Sequence, residues 1–319
     1  MNFWHSNVRI GNKEYPRFMG GPLDGITDAP FRQLVREFSK EELLYTEMRH
    51  VASVATDKNG TRTLNFEQWE RPLNYQISAN QIDFIVPAIE KILAKGVDAI
   101  DLNIGCPARN VVGSGSGSAL MADIPRLQRL VNFLRSIIPI TFTVKIRAGF
   151  KEKNAVDVAL MLQDCGVDAL AIHPRLQSQK FEGRPDYALA AEVKKALSIP
   201  VIISGGVVNW PTAKMVYEQT GVDAFLIGRG IWSRPWKLLE LREHSQGRPF
   251  DVDMHTVIRC ALKHFDMMSA YYGPHGLYMF RKHVPFYLKG IAQAAQIRKK
   301  VMTYTCPNQM RQTLQELLG

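Results

Sequence analysis

The segment Asp101-Leu102-Asn103-Ile104-Gly105-Cys106-Pro107 places a thiol directly after an apolar run. Short apolar runs read as buried parallel strands, and α/β proteins build active sites at the carboxyl ends of such strands. Pro107 ends the run, and Gly113 to Ser118, alternating glycine and serine, read as a flexible active-site loop. Lys145 and Arg147, two residues apart, leave one strand in the same direction. Two cations aimed into an apolar barrel are costly unless an anionic or electron-rich ligand meets them, or Asp101 or Glu47 pairs with them. His173 and Arg175 repeat that spacing on the next run, and Gln76 offers a donor and an acceptor to the edge of a heterocycle.

Two glycine-rich ends follow, Ser204-Gly205-Gly206 and Gly228-Arg229-Gly230. Glycines there let backbone N–H groups approach phosphate oxygens, and Arg229 can add a charge-assisted fork. The chain lacks a G-x-S-x-G elbow, a P-loop and a carboxylate/histidine cluster suited to a metal, so no metal is expected. A phosphate site, polar edge-readers, a lysine and a loop thiol together suggest a phosphorylated redox cofactor with a separate proton donor.

These groups need a frame that gathers strand ends. Buried runs recur at 17–22, 43–48, 72–78, 97–105, 140–147, 169–175, 200–206 and 222–229. Amphipathic stretches separate them, among them 81–95, 124–138, 156–165 and 187–197. Asn80, Asp123 and Asp186 are expected N-caps, and Gly96, Gly166 and Gly221 expected helix stops. Eight such repeats predict a (β/α)8 TIM barrel, an α/β fold, rather than an open doubly wound sheet. Asp24, Glu47, Gln76, Asn103, Lys145, His173, Ser204 and Arg229 then all fall at one mouth. After Arg248-Pro249-Phe250 the pattern becomes helical, at 257–271, 276–288 and 309–318. The division is therefore residues 1–249 as a catalytic barrel and 250–319 as a small all-helical domain.

The bulk numbers fit that plan. The chain has 319 residues and a formal charge of +10, and residues 251–319 carry nine lysines and arginines against four carboxylates. Half of the excess thus sits in a fifth of the chain, which points to a polyanionic partner. The four cysteines have no metal or CxxC spacing and read as reduced thiols. Cys165 and Cys260 are expected core fillers and Cys306 a structural residue. No run approaches the roughly 20 apolar residues of a membrane span. No signal peptide is apparent, and a cytoplasmic monomer is the expectation.

These same residues resemble the tRNA-dihydrouridine synthase family, over nearly the whole chain. The resemblance rests on Pro22-Leu23-Asp24-Gly25-Ile26-Thr27-Asp28 with Phe31-Arg32, and on Asp101 to Pro107. It continues through Lys145-Ile146-Arg147, His173-Pro174-Arg175 and Ile227-Gly228-Arg229. In the tail, Tyr272-Gly273-Pro274, Arg281-Lys282-His283-Val284 and Tyr287-Leu288 are similar to bacterial B-type members. Gly21 and Leu23 replace the family's usual alanine and methionine, and Ser204-Gly205-Gly206 replaces a common Asn-Gly-Asp. Serine still donates a hydrogen bond, so flavin binding is expected to survive.

The resemblance implies FMN, reduced by NADPH, delivering hydride from N5 to C6 of a tRNA uracil, with Cys106 protonating C5. It implies FMN contacts at Pro22, Leu23, Asp24, Gln76, Lys145, His173, Ser204, Gly205, Gly206, Gly228 and Arg229. Asn103 and Arg175 would orient the uracil, and Arg281, Lys282 and His283, with Arg298-Lys299-Lys300, would meet RNA phosphates. Hydride addition to the enone-like uracil builds negative charge that needs a proton, and an ordinary thiol, titrating at about 8.5, is a workable acid. The uracil must be turned out of its stack, and the B-type tail suggests a D-loop position. Two alternatives stay open: a dihydroorotate dehydrogenase-like barrel acting on a free pyrimidine, and a tRNA-binding chaperone without flavin.

Overall fold

The computed structural model describes residues 2–80 and 82–318. Its strands are β1 (Val8–Ile10), β2 (Lys13–Tyr15), β3 (Phe18–Gly20), β4 (Leu44–Tyr45), β5 (Arg49–His50) and β6 (Leu73–Ser78). They continue with β7 (Ala99–Asn103), β8 (Thr141–Gly149), β9 (Ala169–Leu176), β10 (Val201–Ser204) and β11 (Ala224–Ile227). Each of the eight expected runs carries one barrel strand. All pair in parallel in the order β3-β4-β6-β7-β8-β9-β10-β11, and β11 returns to β3 through Ile227↔Gly20, so the sheet closes. The short β5 adds to the mouth by pairing with the end of β6 at Ile77 and Ser78.

Alternation along each strand separates two environments. Outward residues such as Leu102, Val144, Ile146 and Ile172 pack under the surrounding helices in the main core. Each such aliphatic side chain contributes on the order of 1.5–3 kcal/mol when fully buried. Inward residues change character along the axis. At the amino-terminal end Met19, Tyr45, Ala171, Ile202 and Leu226 meet Val8, Ile10 and Tyr15 of the β1–β2 hairpin, which plugs the barrel. That hairpin was not read from the sequence, because its strands are only three residues long. Toward the mouth the interior turns polar, with Asn74, Gln76, Asp101, Asn103 and Thr143 all buried.

Asp123 and Asp186 cap their helices by accepting from Arg126 N and Leu189 N. Gly96 and Gly221 end theirs at φ +82 and +63, a conformation that glycine adopts without penalty. The expectation for Asn80 is corrected: helix Ile85–Lys95 starts later, and the Asn80 amide instead donates to Ser114 O. Gln81, the expected first residue of that helix, lies outside the described residues.

The C-terminal region is helical, with segments Met254–Tyr272, Gly276–Phe280, Val284–Tyr287, Ala294–Val301 and Pro307–Glu316 around a second core of Phe265, Met268, Leu277, Phe280 and Met310. The expected continuous helix over 276–288 is broken at Arg281–His283. Pro285, which has no N–H to donate, sits in the first turn of the segment that follows. Asp28 fastens this region to the barrel. It caps helix Ala29–Arg36 through Phe31 N and accepts from Tyr272 Oη at 2.9 Å. Burial, then the nearby Glu47 charge, raises the Asp28 carboxyl to about 6.

Candidate active site

The carboxyl ends of the strands surround a cavity of about 470 Å³. Pro22, Leu23 and Asp24 reach it after β3, Gln76 from β6, Asn103 and Cys106 from the end of β7, and Lys145 from β8. His173 and Arg175 reach it from β9, Ser204, Gly205 and Gly206 from β10, and Gly228 and Arg229 after β11. These fourteen residues, each singled out in the sequence, therefore line one cavity, and Arg147 joins them. Glu47 is not among them. Its carboxylate turns aside to accept from Gly25 N at 2.6 Å and Arg49 Nη2 at 2.7 Å, and Met48 faces the cavity instead.

The cavity is positive: Lys145, Arg147, Arg175 and Arg229 line it against one carboxylate, Asp24, among the described residues. Among the described residues no carboxylate forms an ion pair with Lys145, Arg147, Arg175 or Arg229; the pairing considered for Lys145 with Asp101 or Glu47 is absent. Arg147, almost wholly buried, donates to the carbonyls of Gly105, Leu176 and Lys180. Arg175 donates to Glu182 O and Gly183 O. Burial and the adjacent Arg147 lower the Lys145 ammonium to about 8. Burial, followed by the charges of Lys145, Arg147, Arg175 and Arg229, drives His173 down to about 2, so its ring is neutral. Nε2 lies 2.9 Å from Arg175 Nη1. Because arginine only donates, this Nε2 accepts and the ring proton sits on Nδ1. Uncompensated cations beside a neutral imidazole describe a place for an anionic, hydrogen-bonding ligand.

The loops after β10 and β11 add backbone donors. Gly205 and Gly206 have φ +100 and +85, a region that side-chain-bearing residues avoid. A Cβ at Gly205 would lie 2.8 Å from His173 Nε2, and one at Gly206 2.0 Å from Tyr187 Oη. Among the described residues the amides of Gly205, Gly206 and Gly228 donate to no protein group. Phe181, missed in the sequence, lies over the cavity, 5.2 Å from the Arg229 guanidinium and 6.2 Å from the His173 ring. Its only sequence signal is a lone aromatic in the polar stretch after β9.

Cys106 is held by its backbone. Asn103 Oδ1 accepts from Gly105 N at 2.9 Å and Cys106 N at 2.8 Å. Ser118 donates to the Cys106 carbonyl through both N, at 3.1 Å, and Oγ, at 2.9 Å. The Gly113–Ser118 stretch is thus a built support rather than the expected flexible loop, with Ser116 and Ser118 buried and Gly117 at φ +60 beside Cys106. The thiol itself hydrogen-bonds to no side chain among the described residues and lines the cavity half-buried. Asn103, expected to meet a substrate, engages both ends of its amide with protein, the other being Nδ2 to Gln76 Oε1 at 2.8 Å.

The tail residues separate. Lys282 Nζ lies 2.8 Å from where a Cβ at Gly25 would stand, next to Asp24 at the cavity rim. His283 is corrected: it is fully buried against Phe31 and His264, with Nδ1 3.0 Å from Ser233 Oγ, and no phosphate can reach it. Arg281 points inward too, binding Tyr304 O and stacking on Tyr278, which ties the helices together. Cys165 and Cys260 are buried as expected, whereas Cys306, taken as structural, is exposed.

Comparison with known proteins agrees in family and fold. The family described as "Dihydrouridine synthase (Dus)" matches residues 19–318. The chain is 32% identical to a probable tRNA-dihydrouridine synthase 1 of a Synechocystis species, covering 93% of this chain and 85% of that protein. It is 31% identical to tRNA-dihydrouridine synthase B of Pseudomonas aeruginosa, covering 92% and 90%. In fold it is similar to an old yellow enzyme homologue from Zymomonas mobilis, with a TM-score of 0.57, 12% identity and coverage of 79% and 95%. With a match running from the first barrel strand to the last tail helix, this chain belongs to the dihydrouridine synthase family.

Proposed function

We propose that the chain is an FMN-dependent, NADPH-reduced tRNA-dihydrouridine synthase that saturates the C5=C6 bond of a D-loop uridine. The observation that carries this reading is the half-buried Cys106 thiol on the wall of an uncompensated cationic cavity. The cavity fits FMN: the amides of Gly205, Gly206 and Gly228 with Arg229 suit its phosphate, and Lys145, Gln76 and the Nδ1–H of His173 suit the edge of its ring system. When bound and reduced, FMN would supply a hydride to C6 of the uracil. Cys106 then delivers its proton to C5, and no base beside it draws that proton away. Arg175 orients the uracil.

Residues 1–249 form the catalytic barrel and residues 250–319 the RNA-binding part. Lys282 at the rim and the Arg298-Lys299-Lys300 edge, where Lys299 and Lys300 are exposed, supply phosphate contacts, whereas Arg281 and His283 act inside the domain. The test is purification followed by assay. A yellow protein is expected that releases FMN and, with NADPH, forms dihydrouridine in unmodified tRNA transcript but not in free uridine. A colourless protein, or turnover of dihydroorotate with none of tRNA, would refute the reading.

A further inference from the structure

Asp101 is the one carboxylate inside the barrel among the described residues, fully buried, and the mechanism above does not use it. Each oxygen meets a neutral donor: Thr143 Oγ1 donates to Oδ1 at 2.6 Å, and Gln76 Nε2 to Oδ2 at 2.7 Å. Asn74 Nδ2 donates to Thr143 Oγ1 at 3.0 Å, which turns the threonine proton toward the acid. From Gln76 the chain continues through Oε1 to Asn103 Nδ2 at 2.8 Å, and from Asn103 Oδ1 to the amides of Gly105 and Cys106.

Oxygen and nitrogen of a side-chain amide are nearly the same size, so shape alone does not choose between its two orientations. An acceptor at position 101 does: burial raises the Asp101 carboxyl to about 7, and its Oδ2 accepts from Gln76 Nε2 whether or not Oδ1 carries a proton. Facing Asp101, Gln76 must present its NH2 and so turns its oxygen to Asn103. Asn103 then holds the cysteine loop with its own oxygen. The second N–H of Gln76 is left for the cavity. Without that acceptor Gln76 is held only by Asn103 and its NH2 loses its partner, and turning over would place NH2 against NH2 at Asn103.

We propose that Asp101 is a positioning residue, which acts through Gln76 and Asn103 to set the Cys106 loop and the cavity-facing polarity of Gln76. Its effect on turnover rests on the function proposed above; its effect on the loop does not. Residue-resolved hydrogen exchange on the full chain, without cofactor or RNA, separates the two. Asp101→Ala is expected to speed exchange at Gly105 and Cys106 at least tenfold while β7 amides stay protected. Gln76→Met cuts the relay one step closer and is expected to do the same with Asp101 in place, which covers the case of an alanine variant that does not fold.

Asp101→Asn should restore protection. Its oxygen can accept from Gln76 and its NH2 can face Thr143, whose hydroxyl turns to the otherwise unpartnered Tyr45 oxygen. In turnover, Asp101→Ala is expected to slow uridine reduction by about a hundredfold, the scale of a misplaced reacting group, with Asp101→Asn close to wild type. Unchanged exchange at Gly105 and Cys106 in both Asp101→Ala and Gln76→Met would overturn the relay. So would an Asp101→Asn that matches Asp101→Ala, since charge rather than accepted hydrogen bonds would then be at work. Protection that changes as expected in a protein with no activity on tRNA would uphold the relay and reject the function.

Discussion

Cys106→Ala is expected to leave reduction of the bound flavin by NADPH at the wild-type rate and to slow uridine reduction by roughly 10²–10⁴-fold, the usual worth of a positioned general acid. The structure makes this a clean substitution. The thiol hydrogen-bonds to no side chain among the described residues, while the backbone around it is fixed by Asn103 and by two bonds from Ser118. Removing Sγ therefore leaves the loop in place and subtracts only the proton. Stopped-flow absorbance separates the two half-reactions, first with NADPH and then with tRNA. Equal rates for wild type and variant in the second would remove Cys106 from the chemistry. Slowing of both would mean that the side chain shapes the cofactor site instead.

Gly206→Ala is expected to weaken FMN binding by more than about a hundredfold, or roughly 2.7 kcal/mol. Two costs add. The backbone at φ +85 lies in the left-handed region, where a side chain costs on the order of 1–2 kcal/mol. The new Cβ would also stand 2.0 Å from Tyr187 Oη, so the helix Tyr187–Ala196 or the loop must move. Adding Tyr187→Phe should recover the part due to the hydroxyl, but not the part due to the backbone or to the remaining 3.2 Å approaches of Pro185 Cγ and the ring at 187. Fluorescence titration of apoprotein with FMN measures both, and a Gly206→Ala variant that binds like wild type would show that this loop does not cradle the phosphate. The phenol of Tyr187 occupies the space next to position 206, so this chain has no room there for a side chain.

Much of the barrel was legible because a buried parallel strand is a dense signal. Runs such as Ala169–Arg175 have apolar residues on both faces and a polar pair at one end, and few other structures produce that. The same logic brought Lys145, His173 and Arg229 to one cavity, since strand ends in a closed barrel have only one mouth to share. What escaped was set by tertiary context. Nothing in Arg281-Lys282-His283 says that only Lys282 faces the rim; Phe31 and His264, distant in sequence, bury His283. The Gly113–Ser118 stretch has the composition of a linker, and only its bonds to the Cys106 carbonyl make it a support. The resemblance implied a substrate contact at Asn103, and its service to the amides of Gly105 and Cys106 was not legible because it depends on how the chain turns after β7.

The central claim is that this cavity reduces a uridine of tRNA with Cys106 as the acid. The most direct measurement is a map of dihydrouridine in tRNA from cells lacking this gene, complemented with the wild-type chain or with Cys106→Ala. The account predicts that dihydrouridine disappears from a D-loop position, returns with the wild-type chain and does not return with Cys106→Ala. An unchanged dihydrouridine map in the deletion strain, or full restoration by Cys106→Ala, would contradict it.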